Sequence, residues 1–350
     1  MKLRFILSHP APALYGELRE GVLARHLRDL GEDAAVLRPH AGPEARSELF
    51  DGSVPVHYFP SDAPALQAHR QTCTAMAAWL QADAPDVLLF KGIDYDIVPQ
   101  VLAALDRSRV RVGFVIGGTS VHRMLAEADF VLAESERQIA AITRHLGHAL
   151  PAARLPKHID WATADAAYAA TRSPEAKRYD ICNIGSFEPR KNQAALQGLF
   201  PDHRIALIGD GQTRPEVAAL AAAHPAVEVD GQLPQPAALG VMARSWLMAH
   251  CSTWEGVPRV ILESLACGTP VVAHDFAIQA EFDTAAVRLV PAGALEPTVR
   301  ALLADRPALL ALGEEARRYA RDRHGPGLLA PAAAALLALA TPLVETPPGG

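Results

Sequence analysis

Two carboxylates, Glu255 and Glu263, stand eight residues apart in the stretch of the chain that most clearly suggests chemistry. Pro258 suits the start of a helix, where its missing N–H costs nothing, and Gly268 suits the left-handed residue that follows a last turn. Such a helix puts Glu255 in the preceding loop and Glu263 about 7 Å farther along the axis. Hydrogen-bond acceptors placed in this way suit the hydroxyls of a ribose at one end and of a hexose at the other. The alternative is a helix-start carboxylate and a solvated glutamate with no joint role.

The residues from Glu255 onward match a known signature, which reads E, seven residues, E, then A-x-A-x-G-x-P-V. After Glu263 the chain continues with Ser264-Leu265-Ala266-Cys267-Gly268-Thr269-Pro270-Val271, and only Ser264 departs from the pattern. The chain therefore resembles the retaining glycosyltransferases of family 4, the glycosyl transferases group 1. The resemblance covers 179 to about 281, and the first half of the chain matches the family in layout more than in motif.

The resemblance implies a GT-B fold and transfer of a sugar from a nucleoside-diphosphate sugar to an unidentified acceptor, with retention of configuration and without a metal or other cofactor. It also implies that Glu263 binds the ribose hydroxyls and that Glu255 contacts the donor sugar, with the backbone N–H groups around Gly256 and Val257 orienting that sugar. Three alternatives stay open at this stage. They are an epimerase or hydrolase of the same fold, a catalytically impaired partner that binds nucleotide sugars, and a binding scaffold without a nucleotide site.

A positively charged loop opens the second half of the chain, and it reads GSFEPRKN over 185–192. It resembles the family's G-R-L-x-x-x-K-G/N loop, with Lys191 at the lysine position and Ser186 where the family has arginine. Arg190 is a candidate for the missing charge, since a diphosphate bound without a metal needs cations or helix N-termini. We therefore predict that Gly185, Ser186 and Arg190 bind the donor and that Lys191 takes part in catalysis. The alternative is that Arg190 and Lys191 are ordinary surface residues of a first helical turn.

Glycines after predicted strands mark two further donor-binding segments. Gly209 begins a G-x-G that resembles the family's loop after the second strand, although any tight turn can produce this pattern. Gly231, Gln232 and Leu233 resemble the following F-x-G segment, whose backbone lies against the base in the family. Gly16 stands in the first strand-to-helix loop, where the family lets a phosphate approach the first helix, or it is a plain loop glycine.

His122 is the candidate catalytic residue of the first half. The resemblance implies a histidine near the reacting sugar, but Gly117 and Gly118 occupy the equivalent positions and His122 comes a turn later. It is either a replacement for that histidine or a helix-start histidine without a role. Asp94 and Asp96 have the D-x-D spacing with which a different glycosyltransferase fold binds a divalent metal. The signature at Glu255 contradicts that fold, so we predict no metal.

The elements that must position these residues alternate between strand and helix. Alternation of this kind predicts α/β architecture, with parallel doubly wound sheets and ligands at the carboxyl ends of the strands. The length of 350 residues predicts two domains, which the resemblance places face to face across a cleft as two Rossmann-like units. The predicted bounds are 1–160 for an acceptor-side domain, 161–178 for a linker, 179–325 for the nucleotide-sugar domain, and 326–350 for a C-terminal helix and tail. Predicted strands cover 3–8, 34–37, 54–59, 86–90, 110–116 and 130–133, then 180–185, 204–209, 227–229, 247–251, 271–274 and 287–290, and the predicted helices of the first half cover 17–30, 65–81 and 135–146.

Composition restricts the partners and the compartment. A net charge of −6 argues against nucleic acid, because phosphate backbones are bound by basic surfaces. Cys73, Cys182, Cys251 and Cys267 show no C-x-x-C spacing and are expected to be buried, reduced thiols. The start of the chain has no cleavage site and no stretch has the length of a membrane span, so we expect a cytoplasmic protein. Its expected partners are a nucleotide-sugar donor and an acceptor that is a saccharide, a lipid-linked molecule, a small molecule or a protein, and contact with a membrane surface stays open.

Overall fold

The computed structural model describes residues 1–11, 18–118, 121–275, 282–291 and 293–341. The chain divides into two compact units. Unit 1 comprises Met1–His158 together with Gly327–Gly350, and unit 2 comprises Ile159–Pro326. Each unit is built around its own sheet, so the predicted α/β class is confirmed.

Unit 1 contains an eight-stranded sheet in the order β3-β4-β2-β1-β5-β6-β7-β8. Its strands are parallel except for β3, which pairs antiparallel with β4 at one edge. Their bounds are β1 Lys2–Leu7, β2 Asp33–His40, β3 Arg46–Phe50, β4 Val54–Pro60, β5 Val87–Lys91, β6 Arg111–Ile116, β7 Phe130–Ala133 and β8 Ala152–Arg154. Its helices in the described residues are α1 Arg19–Asp29, α2 Thr74–Asp83, α3 Ile97–Ala103, α4 Glu136–Leu146 and α11 Leu329–Ala340.

Apolar side chains cover both faces of the unit 1 sheet, as in doubly wound folds. On one face α1 and α11 pack together in a core that includes Leu23, Leu27 and Leu336, all fully buried. On the other face α2 and α3 pack through residues such as Met76 and Val101. The core of unit 1 therefore includes α11, a helix from the far end of the chain.

Unit 2 contains a six-stranded, all-parallel sheet in the order β11-β10-β9-β12-β13-β14. Its strands are β9 Tyr179–Ile184, β10 Ile205–Ile208, β11 Val227–Asp230, β12 Ser245–His250, β13 Val271–His274 and β14 Val287–Val290. Its helices in the described residues are α5 Trp161–Ala169, α6 Arg214–Ala221, α7 Gln235–Ala243, α8 Arg259–Ala266, α9 Leu295–Leu303 and α10 Arg306–His324.

The structure differs from the sequence prediction at several elements. The helix predicted over 65–81 begins only at Thr74, as α2, and α3 was not predicted. The edge strand β3 was not predicted, because four of its five residues are exposed and no apolar alternation marks it. The short strand β8 was not predicted either, since its three residues carry no strand pattern. The segment 161–178, expected to be a linker, lies in unit 2 and contains α5, because Trp161 and Ala164 are buried in the core of that unit.

The four cysteines are buried and free, as expected from their spacing. Burial raises the pKa of the Cys73 thiol to about 11 and that of Cys251 to about 12, so both thiols are protonated at neutral pH. Among the helices of the described residues, none combines the length and apolarity needed to cross a bilayer.

Candidate active site

Three loops meet at the carboxyl edge of the unit 2 sheet because they follow strands that neighbour one another there. The loop 185–192 follows β9, the loop 209–213 follows β10, and the loop 251–258 follows β12 and leads into α8. The strand β9 lies between β10 and β12, so its loop touches both of the others. We call these three loops together with α8 the three-loop site.

Two glycines allow the first two loops to approach closely. Gly209 and Gly211 have φ angles of 149° and 147°. A Cβ on Gly209 would lie 1.9 Å from the Gly185 carbonyl oxygen, and a Cβ on Gly211 would lie 2.4 Å from that of Phe187. The Phe187 N–H donates to the Asp210 carbonyl at 2.8 Å across the same gap. The G-x-G pattern therefore has a packing cause here, which is backbone-to-backbone contact.

Glu255 is the carboxylate around which the first and third loops join. Its Oε1 accepts hydrogen bonds from Lys191 Nζ and from Ser252 Oγ, the latter at 2.9 Å, and Arg190 Nη1 lies 3.4 Å away. The backbone adds a link, because the Thr253 N–H donates to the Arg190 carbonyl at 2.7 Å. Glu255 is only 9% exposed, so its charge is held by these contacts more than by water.

The charge of Lys191 keeps Glu255 ionised. Burial raises the pKa of the Glu255 carboxyl, but the hydrogen bond and charge of Lys191 outweigh it, and the pKa lies below its ordinary value. Arg190 also pairs with Glu188, through Nε to Oε2 at 2.9 Å. Two cations therefore converge on one buried carboxylate, and the more exposed of them, Arg190, is shared with the carboxylate of Glu188.

His250, the last residue of β12, lies close to Glu255. Its Nε2 is 3.7 Å from Glu255 Oε1, its side chain is buried, and this nitrogen has no hydrogen-bond partner within the described residues. Burial lowers the pKa of His250 to about 4, although the nearby Glu255 opposes the shift. At neutral pH the imidazole is therefore uncharged. No motif in the sequence marks the proximity of His250 to Glu255.

Glu263 lies in the second turn of α8 and is also buried, at 7% exposed. Its Oε1 accepts from Gln235 Nε2 at 3.0 Å and faces Arg259 Nε at 3.3 Å, one helical turn back. The helix begins at Arg259, one residue later than predicted, because the extended backbone of Pro258 immediately precedes it. The helix α8 ends as predicted. Gly268 follows its last turn with a φ of +71°, and the Thr269 N–H donates to the Ser264 carbonyl at 2.9 Å, which completes a Schellman motif.

The other predicted residues of unit 2 lie along the same edge. Gly256 and Val257 are buried between Glu255 and α8, and the Ser186 carbonyl accepts from Gln193 Nε2 at 3.0 Å. Gly185 donates its N–H to the Ile208 carbonyl at 3.0 Å. Gly231, Gln232 and Leu233 follow β11 next to β10, where Gln232 is exposed and Leu233 packs partly on the core.

The predicted residues of unit 1 are described within that unit. His122 precedes a short 3-10 helix, Arg123–Glu127, and its Nδ1 accepts a hydrogen bond from the Met124 N–H at 3.2 Å. His122 therefore caps the N-terminus of this short helix. Gly16 lies outside the described residues. Within the part of the chain that the structure describes, no group of three or more His, Cys, Asp or Glu side chains is arranged to hold a metal, and Asp94 and Asp96 form none.

Comparison with known families gives a match that covers the segment containing the three-loop site. Residues 169–319, nearly all of unit 2, match the profile of the glycosyl transferases group 1. Unit 2 resembles a glycosyl transferases group 1 domain. The predicted resemblance and the predicted enzyme class, a glycosyltransferase, are confirmed by this match. No match to a curated protein sequence reaches significance.

Solved structures extend the likeness over both units. HepE from Anabaena in complex with UDP is 18% identical, with 97% of this chain and 100% of that chain covered and a TM-score of 0.70. Sucrose-phosphate synthase from Thermosynechococcus elongatus is 15% identical, with 97% and 98% covered and a TM-score of 0.74. The pneumococcal O-GlcNAc transferase GtfA in complex with UDP and GlcNAc is 10% identical, with 97% and 99% covered and a TM-score of 0.66. The predicted GT-B fold is confirmed at this level.

Proposed function

We propose that the protein transfers a sugar from a nucleoside-diphosphate sugar to an acceptor, with retention of anomeric configuration and without a metal ion. The observation that supports this best is the position of Glu255. It is buried, bonded to Lys191 and close to Arg190, and it stands just before the helix that carries the second buried carboxylate, Glu263. Carboxylates that accept from sugar hydroxyls beside cations that face a diphosphate are the groups that this reaction needs.

The cations of the three-loop site supply the charge for the leaving group. As the bond between the sugar and the diphosphate breaks, negative charge grows on the phosphate oxygens and must be stabilised. Lys191 and Arg190 offer two positive charges beside the carboxylates of Glu255 and Glu188, and Arg190 is 42% exposed at its side chain. Gly185, Ser186 and Gly209 bring backbone close to the same place. This supports a reaction in which side-chain cations do the work of a metal, with no cofactor besides the co-substrate.

We propose that the donor is a UDP sugar. HepE was solved with UDP and with UDP-glucose, and GtfA with UDP. In this chain Glu263 would accept from the ribose hydroxyls, and the segment from Gly231 to Leu233 would lie against the base. Glu255 and the N–H groups of Gly256 and Val257 would hold the sugar. The acceptor's proton would pass to the leaving diphosphate, and we assign His122 to the acceptor side of the reaction.

We place the reaction in the cytoplasm, because free buried thiols suit a reducing compartment.

A donor panel tests the proposal. The protein is incubated with UDP-glucose, UDP-galactose and UDP-GlcNAc, and with GDP-mannose and ADP-glucose as base controls, in the presence of mixed saccharide acceptors and EDTA. We expect release of UDP that depends on an acceptor, and a product whose anomeric proton coupling shows the configuration of the donor. Inversion would disprove retention, and activity that EDTA abolishes and Mn²⁺ restores would disprove metal independence. Turnover of the donor without acceptor would identify a hydrolase or epimerase, and binding without turnover would identify an impaired partner.

A further inference from the structure

Trp254 is an exposed indole in the third loop of the three-loop site. Its relative exposure is 45%, whereas Trp161 and Trp246, the other tryptophans of unit 2, are buried at 6% and 8%. Among the described residues of unit 2, no other large apolar side chain is exposed. Tryptophan gains much free energy when its ring is covered, and it is enriched where ligands or partners cover it. This exposed ring stands directly before Glu255, the central carboxylate of the site.

Hydrogen bonds on both sides hold the backbone that carries Trp254. The Thr253 N–H donates to the Arg190 carbonyl at 2.7 Å, and the Thr253 hydroxyl donates to the same carbonyl at 3.3 Å. On the other side Glu255 is buried and accepts from Ser252 Oγ at 2.9 Å. The loop is thus fixed before and after the indole. A rigid ring with two side-chain torsions on a fixed backbone loses little conformational entropy when a ligand covers it.

The strand order places Trp254 at one end of the three-loop site. The sheet order β11-β10-β9-β12 separates the end of β12 from the end of β11 by about 14 Å, since neighbouring strands lie about 4.8 Å apart. Under the proposed function the segment from Gly231 to Leu233, after β11, lies against the base, and the loop after β9 faces the diphosphate. Glu255, after β12, holds the sugar. Trp254 therefore stands at the sugar end of the site and away from the base.

We propose that Trp254 binds substrate by packing its indole against the apolar face of a sugar ring. One face of a pyranose such as glucose or galactose presents mainly C–H groups, and hydroxyls surround the ring. Trp254 supplies an apolar surface and Glu255 supplies a neighbouring hydrogen-bond acceptor, so the two residues together offer both contacts that such a ring makes. The inference rests on the proposed function for the direction in which the donor lies. The ring belongs to the donor or to the acceptor, and the experiment below separates these two sources.

Intrinsic fluorescence of the full chain reports on Trp254 directly. The chain has four tryptophans, and the difference between the parent and Trp254→Phe isolates the emission of the exposed one. Both proteins are titrated with UDP, with UDP-glucose, UDP-galactose and UDP-GlcNAc, and with UDP together with methyl glucoside, methyl galactoside or maltose. We expect a sugar-bearing ligand to shift the emission of Trp254 to shorter wavelength and to reduce its quenching by acrylamide. UDP alone should change neither, because the base and the diphosphate lie away from the indole.

The affinities of Trp254→Ala separate the sugar contact from the nucleotide contact. If the ring is that of the donor, calorimetry should show a Kd for the UDP sugar that is raised about tenfold, with the Kd of UDP within about twofold of the parent value. If the ring is that of the acceptor, the Kd of the UDP sugar is unchanged and the loss of about tenfold appears for the methyl glycoside or maltose in the presence of UDP. Trp254→Phe keeps an aromatic face and should lose about threefold in the same arm.

Leu30→Ala is the control variant. Leu30 is also an exposed apolar residue, at 54%, but it lies at the end of α1 in unit 1. We expect this variant to bind UDP, the UDP sugars and the saccharides with the affinities of the parent, since it removes exposed apolar surface away from the three-loop site.

Two results would overturn the proposal. One is an emission of Trp254 that stays the same with every one of these ligands. The other is an equal loss of affinity for UDP and for the UDP sugars in Trp254→Ala, which would make the indole a contact of the nucleotide.

The inference and the proposed function fail in different ways. Transfer by Trp254→Ala with the parent's KM for donor and acceptor would overturn the inference and leave the proposed function intact. A change in the emission of Trp254 that depends on the sugar, without any transfer in the donor panel, would support the inference and disprove the proposed function.

Discussion

Glu255 shows most clearly what individual residues contribute to the three-loop site. Its local spacing to Glu263 made it a candidate, but its contacts with Lys191 and Arg190 join parts of the chain more than sixty residues apart. Those contacts keep a buried carboxylate ionised beside two cations. The roles proposed for these residues therefore concern charge and hydrogen bonding, and each role can be tested by removing one functional group.

Replacing Glu255 with glutamine should mainly lower turnover. The change keeps the size of the side chain but removes the charge that Lys191 holds, and with it a contact to the donor sugar that we expect to be strongest in the transition state. We expect kcat to fall by about 10²–10³, the range seen when one transition-state contact is removed, with little change in donor KM. Glu188→Gln is the matched control, because Glu188 also pairs with Arg190 but its side chain is 44% exposed. Equal rates for the parent and Glu255→Gln would disprove the assignment.

Replacing Glu263 with alanine should weaken donor binding instead. Hydrogen bonds to a charged acceptor contribute about 1.5–3 kcal/mol, so the donor Kd should rise about 10–150-fold. Titration calorimetry with UDP measures this without turnover. Glu216→Ala, an exposed glutamate in the first turn of α6, is the control and should bind UDP like the parent. Unchanged affinity in the Glu263 variant would place the ribose elsewhere.

His250 should make the protein less stable in mild acid. The pKa of His250 is about 4 in the folded protein, against an ordinary value of 6.5. The unfolded chain therefore binds more protons between these two pH values, and the stability that neutral His250 contributes is full above pH 6.5 and is lost as the pH falls to 4. We expect the loss to be about 3 kcal/mol.

Urea unfolding of the parent and of His250→Gln over this pH range measures the effect. The variant should lose the part of the acid slope that belongs to His250. The pKa values of His57 and His203 are also lowered by burial, so some slope remains. Identical acid slopes in the two proteins would contradict the prediction.

Single elements show which parts of the fold the sequence could predict. The end of α8 and the strand β13 follow from local signals, namely Gly268 after the last turn and a short apolar run. In the same way Gly209 and Gly211 were visible as a pattern. The structural reason for these glycines was not visible in the sequence. The backbone that they contact belongs to the loop after β9, more than twenty residues away.

Replacing Gly209 with alanine should destabilise unit 2. The new Cβ would lie 1.9 Å from the Gly185 carbonyl oxygen, so the loops after β9 and β10 must separate. We expect a loss of about 2–4 kcal/mol in the free energy of unfolding, as for other strained backbone positions. Gly231→Ala is the matched strand-end control, since nothing lies within 4 Å of its Cβ, and it should change stability by less than about 0.5 kcal/mol. Chemical unfolding measures the free energy of unfolding of both variants. Equal losses of stability would exclude the loop contact as the cause.

Across the whole molecule, the features that sequence reasoning missed are those that depend on distant parts of the chain. Arg19 and Glu134 are 115 residues apart, and no local spacing predicts that they pair. His250 and Glu255 are close in sequence, but their contact depends on how the loop after β12 turns back over the strand. Local patterns predicted most of the strands, several of the helices and the signature carboxylates. Pairings between loops of one sheet edge required the sheet order, which alternation alone leaves open.

The same reasoning applies to α11, the helix by which the end of the chain completes unit 1. Ala333 is fully buried in the core that α11 shares with α1, whereas the adjacent Ala334 is exposed. An aspartate at position 333 would bury an unpaired charge, so Ala333→Asp should detach the helix and destabilise unit 1 by about 3–5 kcal/mol. Ala334→Asp adds the same charge to the same helix at a solvated position and should behave like the parent. Hydrogen exchange measured by mass spectrometry distinguishes the units: exchange should accelerate in β1, α1 and β8 of Ala333→Asp while the strands of unit 2 keep their protection. Equal acceleration in both units would show that they unfold as one, and unchanged exchange would show that α11 contributes little to the stability of unit 1.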